Sequence, residues 1–170
     1  RYQMNFIFNI LLFFVLTMQL SAQESTYLTV LKEQVRDSTI SVSDRIEAYN
    51  KLTVAYYNIE INTARVYCKE ALQLAQTDTL SLGMCKGYIN QALLSFGKGS
   101  YNEAIEKLVE ARKIAKKLNQ KRLLITIYTR LSHIYSVIGY SSKAIRYNIK
   151  AIEISENIGN ERDMAMCYHQ

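Results

Sequence analysis

The stretch YNEAIEKLVEARKIA at 101–115 has two counterparts in the chain, INTARVYCKEALQLA at 61–75 and SSKAIRYNIKAIEIS at 141–155. Each carries two alanines seven residues apart: Ala64 and Ala71, Ala104 and Ala111, Ala144 and Ala151. Seven residues is close to two helical turns, so each pair lies on one stripe of a helix. A methyl group on that stripe lets a neighbouring helix approach closely.

Upstream of each stripe stands a tyrosine. Tyr49, Tyr88, Tyr128 and Tyr168 follow one another at 39, 40 and 40 residues, and Gly99 and Gly139 also repeat at 40. The missing residue of the first unit falls between Tyr56 and Ala64, where a turn absorbs a deletion. Within the third unit, Leu124, Tyr128, Leu131 and Tyr135 recur at helical spacing, and so do Ala144, Tyr147, Ala151 and Ile154. The glycine-bearing stretches FGKGSYN and VIGYSS separate the two halves of a unit. Each unit therefore reads as two antiparallel helices of about 16–18 residues, each roughly 25 Å long at 1.5 Å per residue. One such hairpin cannot cover its own apolar face, so successive hairpins must stack.

Composition agrees with an all-α chain. Among 170 residues there is no proline, 6 glycines and 13 tyrosines, so long helices run without a breaker. The units divide the chain at 44–81, 82–120, 121–160 and 161–170, the last being the opening of a fourth. Leu28, Leu31 and Val35 share a helical face, making 24–43 a candidate capping helix before the first unit. A solenoid does not normally stop inside a first helix, so the natural chain is expected to continue beyond Gln170.

Residues 1–23 are of another kind. The uncharged run NFIFNILLFFVLTMQL is followed by Ser21-Ala22-Gln23 and reads as a secretory signal peptide cut near Ala22 or Gln23. The other reading is an uncleaved N-terminal anchor, although the run is about four residues short of the ~20 that span a bilayer. The expected location is outside the cytoplasm, periplasmic or membrane-attached. Without residues 1–23 the chain keeps 20 basic and 15 acidic residues, a charge of +5. Such a mild balance does not indicate nucleic acid.

No nucleophile signature, phosphate loop or metal-ligand spacing is present, so no catalytic residue, cofactor or metal is expected. Gly97-Lys98-Gly99-Ser100 lacks the spacing and preceding strand of a phosphate cradle and reads as a turn. Glu103 and Lys107 form a candidate i,i+4 pair on a solvated face. Lys113, Lys116, Lys117, Lys121 and Arg122 cluster at a helix end, without the aromatic pattern of a nucleic-acid surface. Cys68, Cys85 and Cys167 are an odd set without metal spacing. Across an antiparallel hairpin Cys68 falls opposite roughly residue 90, so it does not reach Cys85, and all three read as small packing residues. His133 and His169 lack a partner motif and read as polar residues on exposed helix faces.

These residues resemble the tetratricopeptide repeat. The third unit matches best, with Tyr128, Leu131, Ser132, Tyr135, Gly139, Ala144 and Ala151. The second has Tyr88, Ala92, Gly99, Tyr101, Ala104 and Ala111, but Gln91 and Ser95 replace the usual leucine and tyrosine. The first has Tyr49, Leu52, Tyr56, Ala64 and Ala71. The closing proline is missing throughout, and the period exceeds the usual ~34, as in longer-helix variants. The resemblance covers about 44–170 and implies a right-handed α-solenoid of stacked hairpins whose first helices line a partner-binding groove. Groove positions would be Asn50, Val54, Tyr57 and Asn58 from the first unit. Ile89, Leu93 and Phe96 would come from the second, and Thr129, Arg130, His133 and Val137 from the third. Leu93 and Phe96 have a second reading as packing residues between helices. Apolar, aromatic and amide groups together suit an extended or helical peptide. Some relatives grip a terminal carboxylate with lysine and asparagine, but Val54 and Leu93 depart from that pattern.

The resulting expectation is an exported, non-catalytic scaffold that binds protein or peptide. It resembles the extracytoplasmic input regions of bacterial membrane sensors, in which repeats precede a transmembrane helix and a histidine-kinase or helix-turn-helix output region. The alternatives are a freestanding periplasmic adaptor and an accessory module of an exported enzyme.

Overall fold

The computed structural model describes residues 25–76 and 81–158. The signal segment, the four-residue stretch 77–80, Cys167, Tyr168, His169 and the fourth unit lie outside the described residues. Helix α1 occupies 25–36. Six helices follow: α2 Val42–Tyr56, α3 Ile61–Ala75, α4 Leu82–Gly97, α5 Tyr101–Lys117, α6 Lys121–Val137 and α7 Ser141–Ile158. The described residues contain no strand. The chain is an all-α solenoid in which α2–α3, α4–α5 and α6–α7 form hairpins that stack in chain order. The second and third units begin with the first residues of α4 and α6, whereas α2 starts at Val42, two residues before its unit.

Helix ends follow from particular side chains. Ser41 caps α2 by accepting from Asp44 N–H at 3.1 Å while its hydroxyl donates to the Asp44 carboxylate at 2.7 Å. Ser81 caps α4 through Met84 N–H at 3.1 Å. Three helices terminate in one motif. Gly99 (φ 76°), Asn119 (φ 51°) and Gly139 (φ 81°) take the left-handed conformation. The following N–H groups of Ser100, Gln120 and Tyr140 return to the carbonyls of Ser95, Ala115 and Tyr135 at 2.8–2.9 Å. Asn119 supplies at the α5–α6 junction what glycine supplies inside the hairpins. The α2–α3 turn has no such residue. There α2 stops at Tyr56, the position equivalent to Ser95 and Tyr135, while α4 and α6 each run two residues further.

All six stripe alanines are buried, five of them with no exposed surface and Ala144 with 6%. They serve both joints. Within hairpins, the Cys85 thiol reaches the Ala111 carbonyl at 3.3 Å and the Ser132 hydroxyl donates to the Ala144 carbonyl at 2.9 Å. Such contacts require backbones to meet without an intervening side chain. Between hairpins, Ala64 and Cys68 pack with Leu94 of α4. The main core runs through α4–α7 around Leu108, Ile125, Ile127 and Leu131, while Leu31 and Val35 of α1 close the other end on Ala48 and Leu52.

The tyrosines fill their own hairpins. Tyr49 meets Tyr67 at 6.1 Å between ring centroids, and Tyr128 meets Tyr147 at 5.9 Å. The equivalent partner of Tyr88 is Lys107, whose ammonium lies 5.8 Å from the ring centroid. Lys107 is thus held over an aromatic face, and it forms no ion pair with Glu103 among the described residues. The register-equivalent partner in each hairpin explains why: the ring attracts the ammonium inward, away from the solvated side.

Cys68 and Cys85 are free, buried thiols, and the Cys68 thiol faces the Gly87 carbonyl at 3.7 Å. Burial pushes Cys68 up to about 12 and Cys85 up to about 11. Lys113, Lys116, Lys117, Lys121 and Arg122 are all exposed.

Replacing Ala111 by leucine overpacks a site with no free surface and is expected to cost about 1–3 kcal/mol in chemical denaturation, whereas exposed Lys117→Leu stays near wild type. Iodoacetamide at pH 8, read peptide by peptide in a mass spectrometer, is expected to leave Cys68 and Cys85 unmodified until the chain unfolds, because the reactive thiolate is suppressed. Stability is also expected to fall as pH rises above 9. There the unfolded thiols ionise while the buried pair, with raised values, stay protonated.

Candidate functional site

A groove of about 490 Å3 runs along the first helices of the hairpins. Its walls come from α2 (Glu47, Asn50, Lys51, Val54, Ala55), α4 (Lys86, Ile89, Asn90) and α6 (Leu123, Thr126, Arg130), with Tyr27 of α1 at one end. Stacking of hairpins brings three helices into one wall. Residues two turns apart on a helix face the same way, as do their counterparts about 40 residues on.

Polar contacts fasten the first two hairpins across this wall. The Asn90 side-chain amide donates to the Asn50 backbone carbonyl at 3.1 Å and to Asn50 Oδ1 at 3.0 Å. The Asn50 amide in turn donates to the Gly83 carbonyl at 3.3 Å. Gly83 allows this approach, since a Cβ there would stand 2.5 Å from Ile46 Cγ2. Above them Lys86 pairs with Glu47 at 2.7 Å, and Lys51 approaches the same carboxylate at 3.8 Å. These pairs are partly exposed, so their worth is specificity of stacking more than stability.

Among the groove positions expected from sequence, Asn50, Val54, Ile89 and Arg130 line this groove. Asn50 is buried, with its amide and both oxygens engaged in the joint, so it serves as a lock. Val54 is 51% exposed and available. Leu93, Phe96 and His133 gather instead around a narrow crevice that Arg130 also borders. The Phe96 ring lies 5.6 Å from Tyr101 and 5.1 Å from His133 between centroids, which makes it a packing residue of the α4–α6 joint. Tyr57 sits over the end of α4, its hydroxyl 2.7 Å from where a Gly97 Cβ would be. Asn58 is exposed in the α2–α3 turn, Thr129 is buried, and Val137 is exposed at the end of α6. His133 also borders a separate cleft between α6 and α7 with Ser136, Ser141 and Asn148.

Sequence reasoning did not reach Glu47, Lys86, Asn90, Leu123 or Thr126. The register itself carried a signal: Glu47, Lys86 and Thr126 are equivalent positions, and so are Lys51, Asn90 and Arg130. The last is electrostatically unusual. The Arg130 Nε is shut off from solvent without a hydrogen-bond partner. Burial pushes its guanidinium below the ordinary arginine value, with Tyr57 acting the opposite way. No group of His, Cys, Asp and Glu among the described residues is arranged to hold a metal ion. None of the described helices is long and apolar enough to cross a membrane.

The fold agrees with that of known proteins. The profile of the SusR N-terminal TPR domain matches residues 17–166. No curated protein is similar enough to match. Among solved structures, BtubC (BKLC) from P. vanneervenii has the same fold, with a TM-score of 0.66 and 16% identity over 86% of this chain. The chain spans 64% of the length of that protein. Repeats of the tetratricopeptide type typically mediate protein–protein interaction and are typically without enzymatic activity. With its hairpins in register and the profile matched over most of its length, this chain belongs to the SusR N-terminal TPR domain family.

Proposed function

We propose that the chain is the extracytoplasmic input region of a membrane signalling protein, and that it takes a protein or peptide partner along the groove of α2, α4 and α6. The observation that carries the binding part is the groove itself, where Val54 and Leu123 offer apolar wall over buried Ile89, beside charged groups. Mixed walls of this kind hold a peptide by its side chains while polar groups set its register. The input role is supported by the matched family, which is named for an N-terminal domain, and by the apolar run Asn5–Leu20. Output through a histidine-kinase or helix-turn-helix region is the arrangement proposed for the full protein.

Three measurements test it. Residues 1–30 fused to an alkaline phosphatase lacking its own leader are expected to give active enzyme outside the cytoplasm; an inactive fusion overturns export. A photo-crosslinking residue at Val54 is expected to capture partner peptide, while one at Val66, 57% exposed on α3, is not. Equal capture from both positions overturns the groove. Downstream of Gln170 the gene is expected to encode ~20 consecutive apolar residues and then an output domain; further repeats and a stop would make it a freestanding adaptor.

A further inference from the structure

Three register-equivalent residues stand two positions after the repeat tyrosines, and each has a different fate. Lys51 is exposed and leans to Glu47. Asn90 is buried, and its side-chain amide donates to both oxygens of Asn50. Arg130 is partly buried, and its Nε, like those of Arg45 and Arg65, has no partner; of the three, it alone lines the groove. No carboxylate lies within ion-pair distance of it among the described residues. Removing a guanidinium nitrogen from water without replacing its hydrogen bond is costly. Arginine makes five donors available in a planar fork that fits a carboxylate edge-on.

The surroundings define what would meet that fork. The groove holds three cations, Lys51, Lys86 and Arg130, and one carboxylate, Glu47. Glu47 already serves both lysines, at 2.7 Å and 3.8 Å, so the arginine carries the charge left unanswered. Beside it stand Val54, Ile89 and Leu123, and on its other side the crevice with Leu93 and Phe96. A bare inorganic anion would leave those apolar walls wet, and an uncharged apolar segment would leave the guanidinium unpaired. An acidic side chain between apolar ones answers both.

We infer that the groove selects a peptide segment carrying a glutamate or aspartate side chain between apolar residues, its carboxylate paired with Arg130 and its apolar neighbours on Val54 and Leu123, with buried Ile89 beneath them. The inference rests on the groove being the binding face, as proposed above, and names the chemistry of the occupant. Arg130 then stays unpaired in the free protein because its partner arrives with the ligand, a local rule broken where function requires it.

The test is a selection of random dodecapeptides displayed on phage against the 170-residue chain, with enriched peptides synthesised, dye-labelled and titrated by fluorescence anisotropy. Enriched peptides are expected to share one acidic position flanked by apolar residues. Changing that residue to its amide is expected to weaken binding at least about tenfold. Arg130→Gln is expected to cost a similar factor and to bind the acid and amide peptides alike, the signature of a direct pair. Arg130→Met, which removes an unanswered, partly buried charge, is expected to raise Tm by about 2–4 °C while losing the acid preference. Enriched peptides without a shared acid, or acid and amide forms that bind equally to the unaltered chain, overturn the inference and leave the groove reading standing. An absence of any enriched peptide counts against both. A fall in Tm for Arg130→Met marks the arginine as a structural support and also overturns the inference.

Discussion

Close approach of helix backbones at alanine is the constraint on which the whole arrangement depends. A thiol at Cys85 and a hydroxyl at Ser132 reach carbonyl oxygens at Ala111 and Ala144 in the facing helix. Contacts of that kind are open only where the facing residue is small. The same alanine-bearing helix then meets the next hairpin, as Ala64 and Cys68 meet Leu94. One stripe of small residues therefore sets two distances at once, the width of a hairpin and the rise to the following one. Larger residues fill the remaining space, with Tyr67, Lys107 and Tyr147 occupying equivalent sites against the repeat tyrosines. Packed interiors are dense enough that a change in either distance is felt along the stack.

Repetition also sorts equivalent positions into different tasks. Cys68 and Leu108, four residues after the first alanine of their stripes, are buried, at 3% and 0% exposure, where the following hairpin packs. Their counterpart Asn148 lies at the outer side of the third hairpin, next to exposed Ile145 and Ile149. On the first-helix face the column of Lys51, Asn90 and Arg130 is split between a solvated charge, an inter-hairpin lock and an unanswered guanidinium. Backbone geometry is nearly the same at all three sites. Differences come from the neighbours, because a side chain's role in a solenoid is decided by the hairpin stacked beside it. The polar lock between Asn50 and Asn90 takes two amides out of the groove surface, while Val54 stays exposed and Arg130 partly so.

The family match and the groove bear on function in different ways. The match over residues 17–166 assigns the chain to a repeat family, and the likeness to BtubC, at 16% identity, speaks for fold alone. Specific function has to come from the wall residues themselves. Those residues form no metal cluster among the described part of the chain, and they make a mostly apolar trough with net positive charge. Recognition of another chain along that trough is the reading proposed above.

Much of the fold was legible because small residues, aromatics and glycines recur with helical spacing inside a longer period. Only stacked hairpins bury all of them at once. The alanine stripes, the tight turns at Gly99 and Gly139, and the apolar face of Leu31 and Val35 are written in the sequence. The turn at Asn119 could not, since asparagine takes the left-handed conformation only sometimes, and neighbouring packing decides when. The pairing of Lys107 with Tyr88 in place of Glu103 belongs to the same class. Sequence spacing shows which residues share a helix face, but not which of two attractive partners the next helix brings nearer.

The first-helix face bearing Asn50, Val54, Ile89 and Arg130 was legible in the sequence, but the way these residues are used was decided by tertiary structure. Asn50 and Asn90 are 40 residues apart, yet Asn50 is one position before the register equivalent of Asn90. Their contact arises from the stagger and rotation of α2 against α4, which a repeat period does not specify. For the same reason Phe96 turned into the α4–α6 joint, while Leu123 and Lys86 came to the wall unforeseen. Periodicity in the chain determines which faces must be buried, because burying them dominates the free energy of folding. The precise turn of each helix about its own axis depends on side chains forty residues away, and only the assembled stack brings those together.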